Sequence, residues 1–302
     1  MAPRGVGAAA MNRRRLLSKR HALIPLPAID VEGLIATGVP TGPQYAAYWG
    51  RTPTEKYARF LESATVSFLG MFFSYFMSFV VGGFVATILG SLFVFWGILS
   101  PEFKAVQRNW EFLGGRELVD PWVNDSRHAG LYGSLFLGRI DDVCVVEDSL
   151  VSDKDEYDLA DFMDYRMSSD DLEKLTGRPY LLRVKIGDET GRELQVHARL
   201  SEDYLDVVAG MPVAAVLLST TTRFDQLAGI TDLYVPDIGC WIGDYPYLDR
   251  AGLEQLLATD DELWETLESE RDMVVDRELN RGTPTDSTVS DERFNERFNY
   301  DS

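Results

Sequence analysis

An uncharged segment from Ser63 to Ser100 constrains this chain more than any other feature of its sequence. About 20 apolar residues in a helix cross a hydrocarbon core of about 30 Å, so one straight helix over this segment would be almost twice too long. Gly82 and Gly83 stand near its middle, and paired glycines lower helix propensity and permit a tight turn. The segment therefore predicts a transmembrane hairpin with helices over 63–81 and 84–100.

The charges that flank this segment favour a hairpin over a single span. Basic residues lie on both sides of it: Arg51, Lys56 and Arg59 before it, and Lys104, Arg108 and Arg116 after it. Basic flanks prefer the same, cytoplasm-like side of a membrane, so a single span would have no preferred orientation. A hairpin satisfies the rule because both of its ends lie on one side.

Small residues recur at helical spacing along both predicted helices. The predicted helix-packing residues are Ser67, Gly70 and Ser74 in the first helix, within a stripe that also includes Ser63 and Ser78, and Gly83, Gly90 and Gly97 in the second. Small side chains let helix backbones approach closely in lipid, where van der Waals packing drives association. The pattern predicts helix packing, and it leaves open whether the partner is the neighbouring helix or another protein.

Charge limits the functions that this chain can have. No ionisable side chain lies within the apolar segment, and a proton or solute pathway normally requires one, so a stand-alone permease is not expected. The formal net charge of −19 disfavours nucleic-acid binding. We therefore expect the lipid bilayer and other membrane proteins as partners, and no nucleic acid.

The segments on either side of the hairpin predict membrane-surface structure. Residues 1–22 are basic and free of acids, like an organelle transit peptide, and residues 23–62 form a pre-membrane segment. Residues 101–130 predict an interfacial helix followed by a linker. One face of that helix is apolar and comprises Phe103, Val106, Trp110 and Leu113. A helix packed on the soluble domain fits this pattern equally well.

Residues 131–250 predict a soluble, mainly β domain. Five apolar or alternating runs read as strands, with a short helix capped by Ser201 between the third and the fourth. This order is typical of a small OB-like barrel, although an open α+β sheet fits almost as well. An acidic insertion spans 147–173, and its EF-hand-like stretch from Asp153 lacks the turn glycine, so we predict no metal site.

An aromatic cluster, CWIGDYPYL, follows the last predicted strand. Its residues Trp241, Tyr245 and Tyr247 predict either a closing flap of the β domain or a partner-binding surface. No catalytic motif and no cluster of histidines or cysteines is present, and the two cysteines give no metal-ligand spacing. We therefore predict no catalytic residue, no cofactor, no metal site and no enzymatic activity.

The last segment, 251–302, predicts an acidic amphipathic helix and a disordered acidic tail. It carries fifteen acids and five bases. The apolar face of the helix comprises Leu253, Leu256, Leu257, Leu263, Trp264 and Leu267.

Four sequence blocks and the apolar segment together resemble a cyanobacterial and plastid family of small thylakoid membrane proteins of poorly defined function, over about residues 23 to 256. The blocks are LIATGVPTGPQYAAYWGRTPTEKYARF, LYGSLFLGRIDDVCVVE, GRELQVHARLSEDYL and CWIGDYPYL. The resemblance implies a chloroplast thylakoid membrane protein with both termini and the soluble domain on the stromal side. It also implies a non-enzymatic assembly or biogenesis factor that helps to insert or stabilise a photosystem core subunit. The alternatives are an accessory subunit of a membrane transporter and a membrane-tethered ligand-binding domain.

Overall fold

The structure is a computed structural model that describes residues 23–36, 38–122, 130–147, 156–158, 180–188 and 190–269. The predicted leader, most of the acidic insertion and the predicted acidic tail therefore lie outside the described residues. The EF-hand-like stretch also lies outside them, except for a strand of three residues.

The first part of the described chain is mainly helical. After a short strand β1 (Leu23–Pro25), five helices follow: α1 (Ala28–Leu34), α2 (Gly42–Trp49), α3 (Pro53–Val81), α4 (Gly83–Val94) and α5 (Trp96–Phe112). Helix α3 begins with a capping box, in which the Thr52 hydroxyl accepts from the Glu55 backbone N–H and the Glu55 carboxylate accepts from Thr52 N–H. It ends at Gly82, whose φ of +88° suits a residue without Cβ.

Helix α3 is the one helix in the described residues that is long and apolar enough to cross a membrane by itself. Helices α4 and α5 qualify only as a pair, and they are bent by 78° at Phe95. The second arm of the predicted hairpin is therefore not the single helix predicted over 84–100. Gly97 has low helix propensity, and Pro101 has no N–H to donate to the Gly97 carbonyl, so this stretch favours a break.

One antiparallel sheet follows the helices. Its remaining strands are β2 (Tyr132–Glu147), β3 (Glu156–Asp158), β4 (Tyr180–Gly187), β5 (Glu193–Arg199), β6 (Pro212–Ser219), β7 (Leu227–Ile230), β8 (Leu233–Val235) and β9 (Cys240–Ile242). The main strand order is β5-β4-β2-β6-β8-β9. Strand β2 pairs with β1 and β6 along its first half and with β3 and β4 along its second half. It is therefore the central strand of the sheet.

The two faces of the sheet bury separate apolar cores. On one face the sheet curls over Phe136, Ile140 and Leu182, all fully buried. On the other face it is covered by α1 and by two C-terminal helices, α6 (Arg250–Thr259) and α7 (261–269). Leu253 and Leu257 of α6 are fully buried there, and burial of one such side chain stabilises a fold by about 1.5–3 kcal/mol.

The prediction of a β-rich domain with helices is confirmed, and its details differ. The sheet is a curled half-barrel with β5 and β9 at its edges, which is closer to the open α+β sheet than to a closed five-stranded OB-like barrel. The short helix predicted after Ser201 is one turn of 3₁₀ helix, Glu202–Tyr204. The predicted C-terminal helix is divided at Asp260, and four of its predicted apolar residues are buried: Leu253, Leu257, Leu263 and Leu267.

Candidate functional site

Helices α3 and α4 pack against each other through small residues. A Cβ added at Gly70 would overlap the Phe93 ring, so the ring occupies the space that a larger residue would need. One turn further along α3, Ser74 faces Gly90. A Cβ added at Gly90 would lie 3.6 Å from the Ser74 Cβ, which is an ordinary van der Waals contact. The Ser74 hydroxyl donates to the Gly70 carbonyl at 2.9 Å, so its polar group is satisfied within the helix.

The remaining predicted helix-packing residues lie away from this contact. Ser67 is half-buried, and built Cβ atoms at Gly83 and Gly97 would have no neighbour within 4 Å. The structure thus brings Gly70, Ser74 and Gly90 together and leaves open space at the Cβ positions of Gly83 and Gly97.

A shallow groove of about 510 Å³ runs along one side of the α3–α4 pair. Small residues line most of it: Ser74, Ser78, Gly83, Ala86, Gly90 and Ser91. Tyr75 and Phe95 contribute larger side chains to the same groove. The outward surface of the pair is strongly apolar, since only 11% of the most apolar stretch of α3 is buried. An apolar surface of this extent is typical of a site that contacts protein or membrane.

The uncharged segment ends where α3 and α5 meet. The Ser63 and Ser100 hydroxyl oxygens are 3.3 Å apart, and the Tyr48 hydroxyl donates to Ser100 at 2.8 Å. The two ends of the uncharged segment therefore lie next to each other.

A buried polar network joins the helices to the sheet domain. Gln44 of α2 is 1% exposed, and its Nε2 donates to Asn109 Oδ1 at 3.1 Å and to the Pro246 carbonyl at 2.9 Å. Asn109 of α5 in turn donates to the Ala36 carbonyl. Since a buried polar group without a partner costs about 1–3 kcal/mol, this network fixes four chain segments relative to one another.

Helix α5 has two different faces. Pro101, Ala105 and Asn109 are buried against α2 and the sheet domain, whereas Phe103 and Trp110 of the predicted apolar face are exposed. The helix is thus packed on the soluble domain and also presents an apolar face outward. The packing on the soluble domain agrees with the second alternative predicted for this segment, and the interfacial position stays a prediction.

The predicted aromatic cluster lies at the same junction. The Tyr247 ring stacks on Phe112 of α5, with ring centroids 4.1 Å apart, and the Tyr245 ring lies 4.8 Å from the Arg108 guanidinium. Trp241 packs on Tyr234. All three side chains of the cluster therefore pack against other parts of the molecule, as in a closing flap, and the partner-binding role stays a prediction.

Burial raises the pKa of the Tyr245 hydroxyl to about 12, although the nearby Arg108 charge lowers it. Burial also raises the pKa of Tyr247. Tyr245 is 7% exposed, and its hydroxyl has no hydrogen-bond partner among the described residues. Both tyrosines are therefore neutral hydrogen-bond donors at physiological pH.

A cleft of about 160 Å³ lies beside Tyr245, between α2, α5 and the first turns of α3. Its charged lining residues are three cations, Arg59, Lys104 and Arg108, and one acid, Glu111. We call it the basic cleft, because its lining is positive on a strongly acidic chain. Sequence reasoning missed it, since its cations were used only as flanking charges and Tyr245 is far from them in sequence.

Within the described residues, no group of three or more histidine, cysteine or acidic side chains could hold a metal ion. Cys144 and Cys240 do not form a disulfide with each other, and Cys144 is buried.

A family model described as "Family of unknown function (DUF8619)" matches residues 24–266. No curated protein and no solved structure matches the chain. The match includes both the helical part and the sheet, so the two parts belong to one family unit.

Proposed function

The chain belongs to the DUF8619 family of unknown function, and we propose that it is an integral membrane protein that acts as a non-enzymatic assembly or biogenesis factor for photosynthetic complexes. Its membrane insertion is supported by the exposed apolar surface of α3 and α4. Its place in the chloroplast thylakoid membrane is supported by the sequence blocks that resemble thylakoid proteins. Its client would be a photosystem core subunit during insertion or stabilisation.

The contact between Ser63 and Ser100 carries the proposed hairpin topology. Residues 63–81 of α3 are about 28 Å long, close to the thickness of the hydrocarbon core. Because the return arm through α4 and the start of α5 comes back to Ser63, both flanks of the apolar segment would lie on one side of the membrane in the proposed topology. In a thylakoid, the sheet domain and both termini would then be stromal.

The groove along α3 and α4 is the proposed binding site for a helix of the client protein. Small residues let a third helix approach closely, and the exposed hydroxyls of Thr87 and Ser91 already donate to backbone carbonyls of α4. A docked apolar helix would therefore leave no hydroxyl of these two residues unsatisfied. The same argument applies to an insertion-machinery helix, which is the second partner of this kind.

A membrane-tethered ligand-binding domain is the second candidate function. The basic cleft favours it, since its lining gathers three cations and Tyr245, a residue whose hydroxyl is buried without a partner among the described residues.

Affinity purification from gently solubilised thylakoids, with mass spectrometry of the co-purifying proteins, tests the proposed function. The chain offers a matched pair of variants, because neither Gly83 nor Gly97 has a neighbour within 4 Å of a built Cβ and only Gly83 lines the groove. Gly83→Leu should fill the groove and reduce recovery of core subunits at least tenfold, whereas Gly97→Leu should not.

Recovery of core subunits or translocase with the parent and with Gly97→Leu, but not with Gly83→Leu, would support an assembly factor that uses the groove. Recovery of a transporter instead, or equal recovery with both variants, would count against it.

A further inference from the structure

We propose that the basic cleft binds a phosphate group, as carried by an anionic phospholipid headgroup, with Arg108 and Tyr245 as its central contacts. The cleft holds three cations and one acid, a net charge of +2 from its lining, on a chain whose net charge is −19. A positive concave surface on an acidic molecule concentrates anions locally.

The position of the cleft suits a lipid headgroup. Ser63 and Ser100 meet at the end of the uncharged segment, and Arg59 and Lys104 each lie four residues further out along their helices. Four residues of helix rise about 6 Å, which places both cations just outside the apolar layer. Lipid phosphates lie at this depth, so this part of the argument rests on the proposed membrane insertion.

The hydrogen-bonding state of the cleft points to a missing acceptor. The Tyr245 hydroxyl is buried and lacks a partner within the described chain, although Tyr245 lines the cleft. Polar atoms that are buried in proteins are nearly always satisfied, and a phosphate oxygen is an acceptor for such a donor.

The cations differ in how far they are already engaged. Arg59 is paired with Glu62 at 2.7 Å, and Lys104 Nζ donates to Gln107 at 3.4 Å. The Arg108 guanidinium lies over the Tyr245 ring and has no carboxylate partner in the part of the chain that is described. Its guanidinium is therefore available to bind two phosphate oxygens at once.

The test is titration of the full-length chain in neutral detergent micelles with three probes. Short-chain phosphatidic acid carries the phosphate on a lipid, inorganic phosphate carries it free in solution, and short-chain diacylglycerol is the lipid without phosphate. Binding is measured by calorimetry, and the thermal shift of unfolding is recorded in parallel.

Three variants distinguish specific phosphate binding in the basic cleft from non-specific electrostatic attraction to the cations of the protein. Arg108→Gln removes the central charge, and Tyr245→Phe removes only the unpartnered hydroxyl. Lys56→Gln removes one exposed charge of α3 outside the cleft. We expect phosphatidic acid to bind the parent and Lys56→Gln, and to bind Arg108→Gln and Tyr245→Phe at least tenfold more weakly.

Equal binding of inorganic phosphate, with the same variant pattern, would support the site and identify free phosphate as its ligand. Binding of neither phosphate probe, or equal weakening by Lys56→Gln and Arg108→Gln without an effect of Tyr245→Phe, would overturn the proposal. Diacylglycerol binding as strong as that of phosphatidic acid would also overturn it. These results do not depend on any client protein, so they stand apart from the co-purification experiment.

Discussion

At the scale of single residues, the informative positions are polar groups that the fold buries. Gln44, Asn109 and Tyr245 all lie where the helices meet the sheet, and none of them carries a charge. A buried neutral group is held by its hydrogen bonds rather than by ion pairing, so its contribution depends on whether each donor finds an acceptor.

Ionisation of Tyr245 should make the free energy of unfolding depend on pH in the alkaline range. Its pKa is about 12 in the folded chain and about 10 in the unfolded chain, so its contribution is fully present below pH 10 and is lost as pH rises towards 12. Tyr245→Phe should therefore gain about 1 kcal/mol of unfolding free energy over the parent between pH 8 and pH 11. Denaturant unfolding in phosphate-free buffer measures this difference.

Tyr57, which is exposed on α3, provides the control for that experiment. Tyr57→Phe removes an exposed hydroxyl, so its unfolding free energy should stay within about 0.5 kcal/mol of that of the parent. A Tyr245→Phe variant that also follows the parent would show that burial of this hydroxyl does not control its ionisation.

Gln44 should be among the most sensitive polar positions of the chain. Gln44→Ala removes the donor to Asn109 and to the Pro246 carbonyl and leaves a small void, so we expect a loss of about 2–4 kcal/mol. Gln107→Ala, which removes an exposed hydrogen bond on α5, should stay within about 0.5 kcal/mol of the parent. Chemical unfolding in micelles compares the two, and similar losses would contradict the role of the network.

At the scale of elements, the sequence predicted those helix ends and strands that depend on residues close together in the chain. The end of α3 at Gly82 followed from paired glycines, and β6 was recognisable because MPVAAVLLST is apolar on both faces, as a central strand requires. The break at Phe95 was not predicted, because no proline or glycine stands at that residue, and the Gly97 and Pro101 that weaken the helix lie two and six residues after it.

The candidate site shows the same division. The small residues of α3 and α4 were found from spacing alone, but spacing could not tell that Gly70 faces a ring and Gly97 faces open space. The basic cleft brings together α2, α3, α5 and the loop that contains Tyr245, which are separated by up to 200 residues in sequence. Only the tertiary fold creates such a site, so no local pattern could have predicted it.

The contact between α3 and α4 yields a prediction for a pair of glycines. Gly70→Ala should destabilise the helix pair by about 1–3 kcal/mol, because its Cβ would overlap the Phe93 ring. Gly97→Ala meets no neighbour and should be neutral or stabilising, since alanine favours helix by about 1 kcal/mol over glycine. Thermal unfolding of helical circular dichroism in micelles distinguishes them, and equal melting temperatures would argue against this packing.

At the scale of the whole molecule, the helices and the sheet are joined at several separate points. The Glu55 carboxylate of α3 pairs with Arg199 at the end of β5, and Asp244 accepts from the Arg199 backbone N–H at 2.7 Å. The Phe112–Tyr247 stack and the Gln44 network add two further connections. The sheet is therefore held against α2, α5 and the first turn of α3 by side-chain contacts, in addition to the covalent connection of the chain.

The proposed hairpin makes a prediction for the whole chain in sealed vesicles. Epitope tags at the two ends should be digested together by added protease, or protected together, because a hairpin would place both ends on one side of the membrane. Digestion of one tag with protection of the other, in vesicles of uniform orientation, would indicate a single span and would contradict the hairpin.

The rigid junction has a mechanical consequence for a protein inserted in this way. A helix pair whose apolar length exceeds the thickness of its bilayer can be accommodated by tilting. Here α5 follows α4 after the 78° bend at Phe95 and is held on the sheet domain by Asn109 and Phe112, so a tilt of the helix pair would carry the sheet with it. Membrane thickness would thereby influence the angle between the sheet and the membrane plane. The surface that the sheet presents to other proteins would then depend on the lipid composition.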